Sequence, residues 1–296
     1  MGLALALEPQ TPGWRAELNL ICQGSAPHGS ELAANKSVIR HRRRSGPLAL
    51  QRVLYPEGPS PCHAILLHPP GGVAGGDLLA VDVAVTTGGG LFGTTPASTK
   101  FYKSAGRRAR SVQHLRVSGD ACLEWFPQET LVFNEAELEL ETEVELEPGS
   151  GFAAWEIVCL GRHHMGERFE RGSLLQRWTI WRRVGSARRR VFHERLALAA
   201  DDPMRGAPWG LGGRRVFASL VLSCDQADTN AQLRDAIGKD DSARLVVGLT
   251  RLDGLVVVRA LADAPGPVRG VFEALWGRWR ELERGQAPHR PRIWDT

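Results

Sequence analysis

The stretch EAELELETEVELE at residues 135–147 places a glutamate at every odd position and an apolar residue, or one threonine, at every even position. Because successive side chains of a β-strand point to opposite faces, an extended chain puts all seven carboxylates on one face. The stretch therefore predicts a strand with one buried side. Two interpretations of its acidic side stay open: a solvated face whose like charges deter edge-to-edge aggregation, or an acidic docking surface.

Similar segments recur along the chain. They are short, β-branched or alternating, and bounded by glycine, proline or aspartate. We predict further strands at residues 79–87, 112–118, 130–134, 152–160, 174–184, 216–223, 245–250 and 255–261. No repeat with a period of roughly 20 to 50 residues is visible, so the sequence does not indicate a standard repeat array.

Helical patterns are few. Residues 229–239 predict one helix with Thr229 as a possible N-cap, and a third, short helix is expected after Pro96. Residues 267–282 predict a helix near the C-terminus, with one face formed by Val271, Leu275, Trp279 and Leu282. Because strands greatly outnumber helices and do not alternate with them regularly, we expect a mainly β fold of stacked sheets.

Composition limits the class of protein. The 296 residues are 43% apolar, enough to fill a substantial core. The apolar run at residues 2–7 lacks a basic leader, and residues 245–262 contain three charged side chains, so we expect neither secretion nor a membrane span. Five scattered cysteines without CxxC spacing fit a reducing compartment, which predicts a cytoplasmic protein.

The chain shows no strong internal boundary. We assign residues 1–44 to an N-terminal extension with a basic segment, residues 45–285 to a single β-rich domain, and residues 286–296 to an extended C-terminal arm. The Gly/Pro/Asp-rich residues 201–213 predict a long loop within that domain.

Candidate chemical groups are sparse. The motifs GxSxG and HExxH are absent. Cys159, His163 and His164 are weak metal candidates, and no tight site is predicted, because adjacent histidines of an extended segment point to opposite faces. Glu124 and Glu129 would serve as acid and base of a hydrolase if the fold brought them together, which leaves an enzyme as one alternative.

Basic clusters at residues 36–44, 107–110 and 188–190 leave a nucleic-acid binder as a second alternative. They lack the interleaved aromatic residues on which bases stack, and no known reading motif is present. Solvated segments or protein contacts are the interpretation we favour, with no nucleic acid as partner.

Several blocks carry a family resemblance. They are HPPGGVAGGD at residues 68–77, TTPASTKFYKS at 94–104, LEWFPQETLVF at 123–133, WEIVCLGRHHMGERFERG at 155–172 and PRIWDT at 291–296. In order and spacing they resemble the UreD/UreH family of urease accessory proteins, over roughly residues 45–296. Ser98, Lys103 and Phe126 depart from the commoner alanine, arginine and leucine.

The resemblance implies a non-catalytic scaffold or chaperone for nickel insertion into urease. Its implied partners are the urease apoprotein, UreF and the GTPase UreG, and its implied fold is a β-rich, helix-like stack of strands with an internal passage. Nickel would be bound only transiently, with no tight cofactor, because passage requires exchangeable ligands.

The resemblance also supplies candidates to line that passage or hold its loops: His68, Asp77, Glu124, Glu129, Glu156 and Glu167. Read from the residues alone, the glycines of the first block are expected to form a tight turn that Asp77 caps: Gly71, Gly72, Gly75 and Gly76. Tyr102 and Trp125 are expected to be core or interface anchors.

Overall fold

A computed structural model of the chain describes residues 13–25, 36–226, 228–237 and 245–295. The apolar run at residues 2–7, the last two residues of the predicted helix 229–239 and the terminal Thr296 lie outside these ranges. The elements in chain order are β1 (Arg15–Ser25), β2 (Lys36–Ser45), β3 (Ala49–Leu50), β4 (Cys62–Leu67), β5 (Leu78–Thr86), β6 (Gly90–Thr94), β7 (Thr99–Phe101), β8 (Ala109–Val117), β9 (Cys122–Phe126), β10 (Thr130–Val132), β11 (Ala136–Leu146), β12 (Gly151–Leu160), β13 (Gly172–Val184), β14 (Ala187–Ala199), β15 (Val216–Ser223), α1 (Thr229–Ala236), β16 (Leu245–Leu252), β17 (Leu255–Ala262) and α2 (Pro265–Trp279).

Two large sheets organise these strands. The seven-stranded sheet has the order β14-β13-β11-β8-β5-β1-β2. The ten-stranded sheet has the order β16-β17-β15-β12-β9-β6-β4-β3, with β10 attached to β12 and β7 to β10. From β4 to β13 the chain passes back and forth between the sheets, and neighbouring strands there are parallel. This winding makes a coil of about 30 residues per turn, so the mainly β, stacked fold is confirmed.

The molecule has three layers and two hydrophobic cores. One core lies between the sheets and contains inward residues of both, such as Leu115 and Phe152. The second lies between the ten-stranded sheet and the helices, where Phe272 and Trp276 of α2 pack on strand residues such as Trp155. The ten-stranded sheet is therefore covered on both faces, which explains why every residue of β12 and of β15 is buried.

The predicted strands and the two main helices are present, with small shifts of their ends. The third helix expected after Pro96 is wrong: the chain there forms β7, and Thr99 N–H donates to Glu129 O at 2.9 Å. The backbone after Pro96 is used in parallel strand pairing, which overrides a local helical start. Thr229 is also not the N-cap of α1, since Asp228 takes that position and the Thr229 hydroxyl donates to Glu283.

The acidic strand β11 lies inside the seven-stranded sheet, between β8 and β13. The interpretation of its glutamates as protection against edge pairing is therefore wrong, because β11 has no free edge. Its outward carboxylates instead form ion pairs with arginines of β8, β13 and β14. Arg110 and Arg177 contact Glu139 and Glu141, and Arg188 contacts Glu143 and Glu145.

The two ends of the described chain pack on these sheets. β1 pairs in parallel with β5, and the basic segment forms the edge strand β2. The tail, expected to be extended, ends in a short 3-10 helix (Arg292–Asp295) that buries Trp294. The domain limits at residues 45 and 286 stay predictions. All five cysteines are free and buried, and no helix in the described ranges is long and apolar enough to cross a bilayer.

Candidate functional site

The glycine loop, residues 68–77, connects β4 to β5 at the margin of both sheets. Asp77 holds it closed: one carboxylate oxygen accepts from Ala74 N at 2.9 Å and the other from Trp14 N at 2.8 Å. Gly71 N–H donates to His68 O at 3.0 Å, which makes the first turn. Asp77 therefore caps the turn and fastens it to the chain ahead of β1, and both oxygens of its carboxylate are occupied.

The four glycines of this loop are required for two different reasons. Gly71 and Gly76 have φ values of 75° and 90°, which side chains with a Cβ rarely adopt. Gly72 and Gly75 have no such strain, but a Cβ on Gly72 would lie 2.2 Å from the Tyr102 ring, and one on Gly75 would lie 2.2 Å from the Ser104 carbonyl oxygen. The loop is thus packed closely against the segment of the same chain that follows β7, which contains Tyr102 and Ser104.

Behind this loop, two adjoining cavities lead from the surface into the core between the sheets. The outer cavity, of about 120 Å³, is lined by the glycine loop and residues 95–100. The inner cavity, of about 80 Å³, extends between the two sheets. Both are lined by Leu66, His68, Thr95 and Thr99. His68 thus stands where the outer cavity meets the inner one.

Glu156 lies at the inner cavity and projects from β12 toward the seven-stranded sheet. One of its oxygens accepts from Trp178 Nε1 at 2.6 Å and from Gln176 Nε2 at 2.8 Å. No lysine or arginine of the described ranges forms an ion pair with it. Burial raises the pKa of Glu156 above its usual range, although the two hydrogen bonds oppose that shift.

Further polar groups line the same interior. Trp125 Nε1 donates to Gln113 Oε1 at 2.6 Å, and Gln113 Nε2 donates to Thr142 Oγ1 at 3.3 Å. Gln113, Thr142 and Gln176 occupy inward positions of β8, β11 and β13, where apolar residues are the rule. None of the three belongs to a recognisable motif, but a polar residue at an inward position of successive alternating strands is a signal that the sequence contains.

The His68 imidazole is suited to bind a cation. Burial lowers the pKa of His68 below its usual value, and the nearby Asp77 carboxylate opposes that shift only in part. At neutral pH the ring is therefore uncharged and offers a lone pair, as a metal ligand requires.

Glu124 and Glu129 face the other side of the ten-stranded sheet, toward α2. Trp276 Nε1 donates to Glu124, and Arg280 Nε lies 3.3 Å from the same carboxylate. Glu129 forms an ion pair with Arg269 of α2. The two carboxylates thus belong to separate networks and share no hydrogen-bond partner in the described chain.

Of the remaining candidates, Glu167 and His163 have structural partners. The Glu167 carboxylate accepts from Asn134 N at 2.6 Å and pairs with Arg162, which fastens residues 162–167 to the end of β10. The His163 ring accepts from Arg215 at 2.6 Å. His164 is exposed, and burial raises the pKa of the Cys159 thiol to about 12. Within the described ranges, no three His, Cys, Asp or Glu side chains converge to hold a metal ion.

These features define a class: a mainly β protein whose chain winds between two stacked sheets, and whose polar interior is open to the surface beside a glycine-rich loop. The family described as UreD urease accessory protein matches residues 23–295. A urease accessory protein UreD from Alkalilimnicola ehrlichii is 42% identical over 97% of this chain and 94% of the relative. Those from Azoarcus sp. and Dechloromonas aromatica are 38% and 37% identical, over 98% and 99% of this chain and 97% and 99% of each relative. The chain belongs to the UreD family of urease accessory proteins.

Proposed function

We propose that this chain is a non-catalytic scaffold that passes nickel to urease, acting with the urease apoprotein, UreF and the GTPase UreG in the cytoplasm. The observation that carries the proposal is the position of His68 at the junction of the outer and inner cavities. Imidazole, carboxylate and water oxygen all suit Ni²⁺. In this proposal the ion enters beside the glycine loop, exchanges onto His68, and continues past Glu156.

The sparse ligand set supports transfer more than storage. A site that holds a metal firmly presents three or four converging ligands, and such a ligand set would retain the ion. His68 and Glu156 instead each offer one group, in cavities with room for a few water molecules that would complete the coordination. Asp77 and Glu167 hold loops in place and act on nickel only through the geometry they maintain.

The test measures urease activity after each variant of this protein is co-expressed with the urease apoprotein, UreF and UreG at a limiting nickel concentration. His68→Ala and Glu156→Gln should lower activation at least about tenfold, because each removes a nickel ligand. Both variants should still retain urease, UreF and UreG in a pull-down. His114→Ala and Glu281→Gln, which change exposed side chains on outer faces, are the matched controls and should activate like the wild type.

Two results would contradict the proposal. Wild-type activation by both His68→Ala and Glu156→Gln would show that nickel does not use these groups. Activity that falls only together with partner binding would assign them a structural role instead.

A further inference from the structure

Two surface loops meet beside the end of β12 and the start of β15, away from the outer and inner cavities. One is residues 161–171 and the other is residues 200–215. Between them lies a cavity of about 210 Å³ lined by Leu160, Arg168, Phe169, Arg205, Gly213 and Arg215. Three guanidinium groups therefore line one small depression, and no carboxylate is among its lining residues; we call it the arginine pocket.

The charge of this pocket is not neutralised by the described chain. Arg205 donates to Ala200 O and lies over the Phe169 ring, and Arg215 donates to the His163 ring. Arg168 is exposed and forms no ion pair with a carboxylate of the described ranges. Glu167, its neighbour in sequence, is already engaged by Arg162. Three cations near one another without a counter-ion favour binding of an anion.

Among the described residues, the same two loops carry the two most exposed large apolar side chains. Met165 is 74% exposed on the first loop and Trp209 is 76% exposed on the second. Tryptophan, methionine and arginine are enriched in the centres of protein interfaces, and tryptophan and arginine dominate their binding energy. A free inorganic anion would fill the arginine pocket but leave both apolar side chains in water.

We propose that the arginine pocket, with Met165 and Trp209, is a docking site for an acidic segment of a partner protein. A carboxylate of the segment enters among Arg168, Arg205 and Arg215, and flanking apolar residues cover Trp209 and Met165. The choice of partners to test rests on the proposed function, whereas the site itself rests on the geometry of the two loops.

The test compares affinities of purified chain variants for the urease apoprotein, UreF and UreG, each immobilised separately, at low and high salt. Arg168→Glu should weaken one of these interactions at least about tenfold, because it places a like charge against the acidic segment. Trp209→Ala should weaken the same interaction about tenfold at either salt concentration, because it removes apolar contact. The effect of Arg168→Glu should shrink at high salt.

Matched controls lie on other surfaces. Arg52→Glu, between β3 and β4, makes the same charge change on an exposed arginine, and Leu252→Ala on β16 truncates another exposed apolar side chain. Both should bind all three partners like the wild type. All four substitutions change exposed side chains, so the urea midpoint of unfolding should move little and a loss of binding is separable from a loss of fold.

The outcomes are distinct. If the wild type binds none of the three partners, the proposed function fails and this inference fails with it. If the wild type binds and both Arg168→Glu and Trp209→Ala bind equally well, only the docking site is overturned. Binding of inorganic phosphate is titrated separately for the wild type and for Arg168→Glu. If Arg168→Glu weakens phosphate binding but binding of no partner, the pocket is a small-anion site and the docking proposal is wrong.

Discussion

Arg280 is the most deeply buried charge of the described chain, with no exposed surface. Its Nη1 lies 2.8 Å from Glu57 Oε2 and its Nε lies 3.3 Å from Glu124 Oε2. Burial would raise the pKa of Glu57, but hydrogen bonds from His63 and Arg280 hold it below its usual value. Arg280, Glu57 and Glu124 stabilise the junction of α2 and the ten-stranded sheet only when all three are present. Removal of any one of them leaves an uncompensated buried charge.

Glu124 should make the stability of the protein depend on pH. Burial raises its pKa from 4.5 to about 7, although Arg280 and Trp276 oppose the shift. Between these values the unfolded chain has released the proton while the folded chain still binds it, so the free energy of unfolding falls as pH rises. Between pH 4.5 and 7.5, the free energy of unfolding should fall by about 2 to 3 kcal/mol less in Glu124→Gln than in the wild type, as measured by urea unfolding.

The control for this prediction is Glu281→Gln, which removes an exposed carboxylate on the same side of the molecule. Its pH dependence should match that of the wild type. Parallel curves for Glu124→Gln and the wild type would show that Glu124 is ionised in the folded protein throughout this range.

At the scale of single elements, the glycine loop contains glycines that are needed for different reasons: one for lack of space and another for its positive φ. An alanine at Gly75 would place its Cβ 2.2 Å from the Ser104 carbonyl oxygen, which belongs to the backbone and has little freedom to move. An alanine at Gly71 would meet no neighbouring atom within 4 Å and would only suffer from the positive φ. We expect Gly75→Ala to cost about 3 kcal/mol and Gly71→Ala about 1 kcal/mol in urea unfolding.

The two substitutions should also differ in activation of urease, because only Gly75→Ala moves the loop away from the chain that follows β7. Equal losses of stability would indicate that the loop relaxes as a unit, and would contradict a fixed contact with Ser104.

Strand β11 shows what a local pattern can and cannot predict. Its period of two correctly gave a strand with a buried side, since that property depends on β11 alone. Its position between β8 and β13 depends on partners 29 or more residues away in the chain, such as Ala109 opposite Leu138, and no local pattern records this. Two of the arginines that pair with its glutamates, Arg110 and Arg188, were visible in basic clusters, but their proximity to β11 was not.

At the scale of the whole molecule, the coil is regular although the sequence has no repeat. Corresponding inward positions of its turns hold different residues, such as Gln113, Thr142 and Trp178, which lie side by side across three strands. Structural repetition requires only that each turn supply a strand for each sheet. The resemblance implied His68, Glu156 and an internal passage, but the inner cavity that both side chains line depends on how the turns stack, and no local pattern of the sequence records its position.

The C-terminal tail completes the second core, which gives a prediction for the molecule as a whole. Trp294 packs against Phe92 and Trp155, with ring centroids 5.8 Å and 5.2 Å away, and its Nε1 donates to Thr94 Oγ1 at 2.9 Å. These contacts join the last residues of the chain to strands β6 and β12. We therefore expect Trp294→Ala to lower the free energy of unfolding by about 3 to 5 kcal/mol.

Trp14→Ala is the matched control, because its side chain is 66% exposed and should contribute less than about 0.5 kcal/mol. Both variants are measured by urea unfolding followed by circular dichroism, a signal that does not rely on the deleted fluorophore. Since Trp294 lies against the ten-stranded sheet and lines neither the outer nor the inner cavity, Trp294→Ala should reduce urease activation only in proportion to the fraction unfolded. A Trp294→Ala protein as stable as Trp14→Ala would show that the tail is an accessory to the second core and not a part of it.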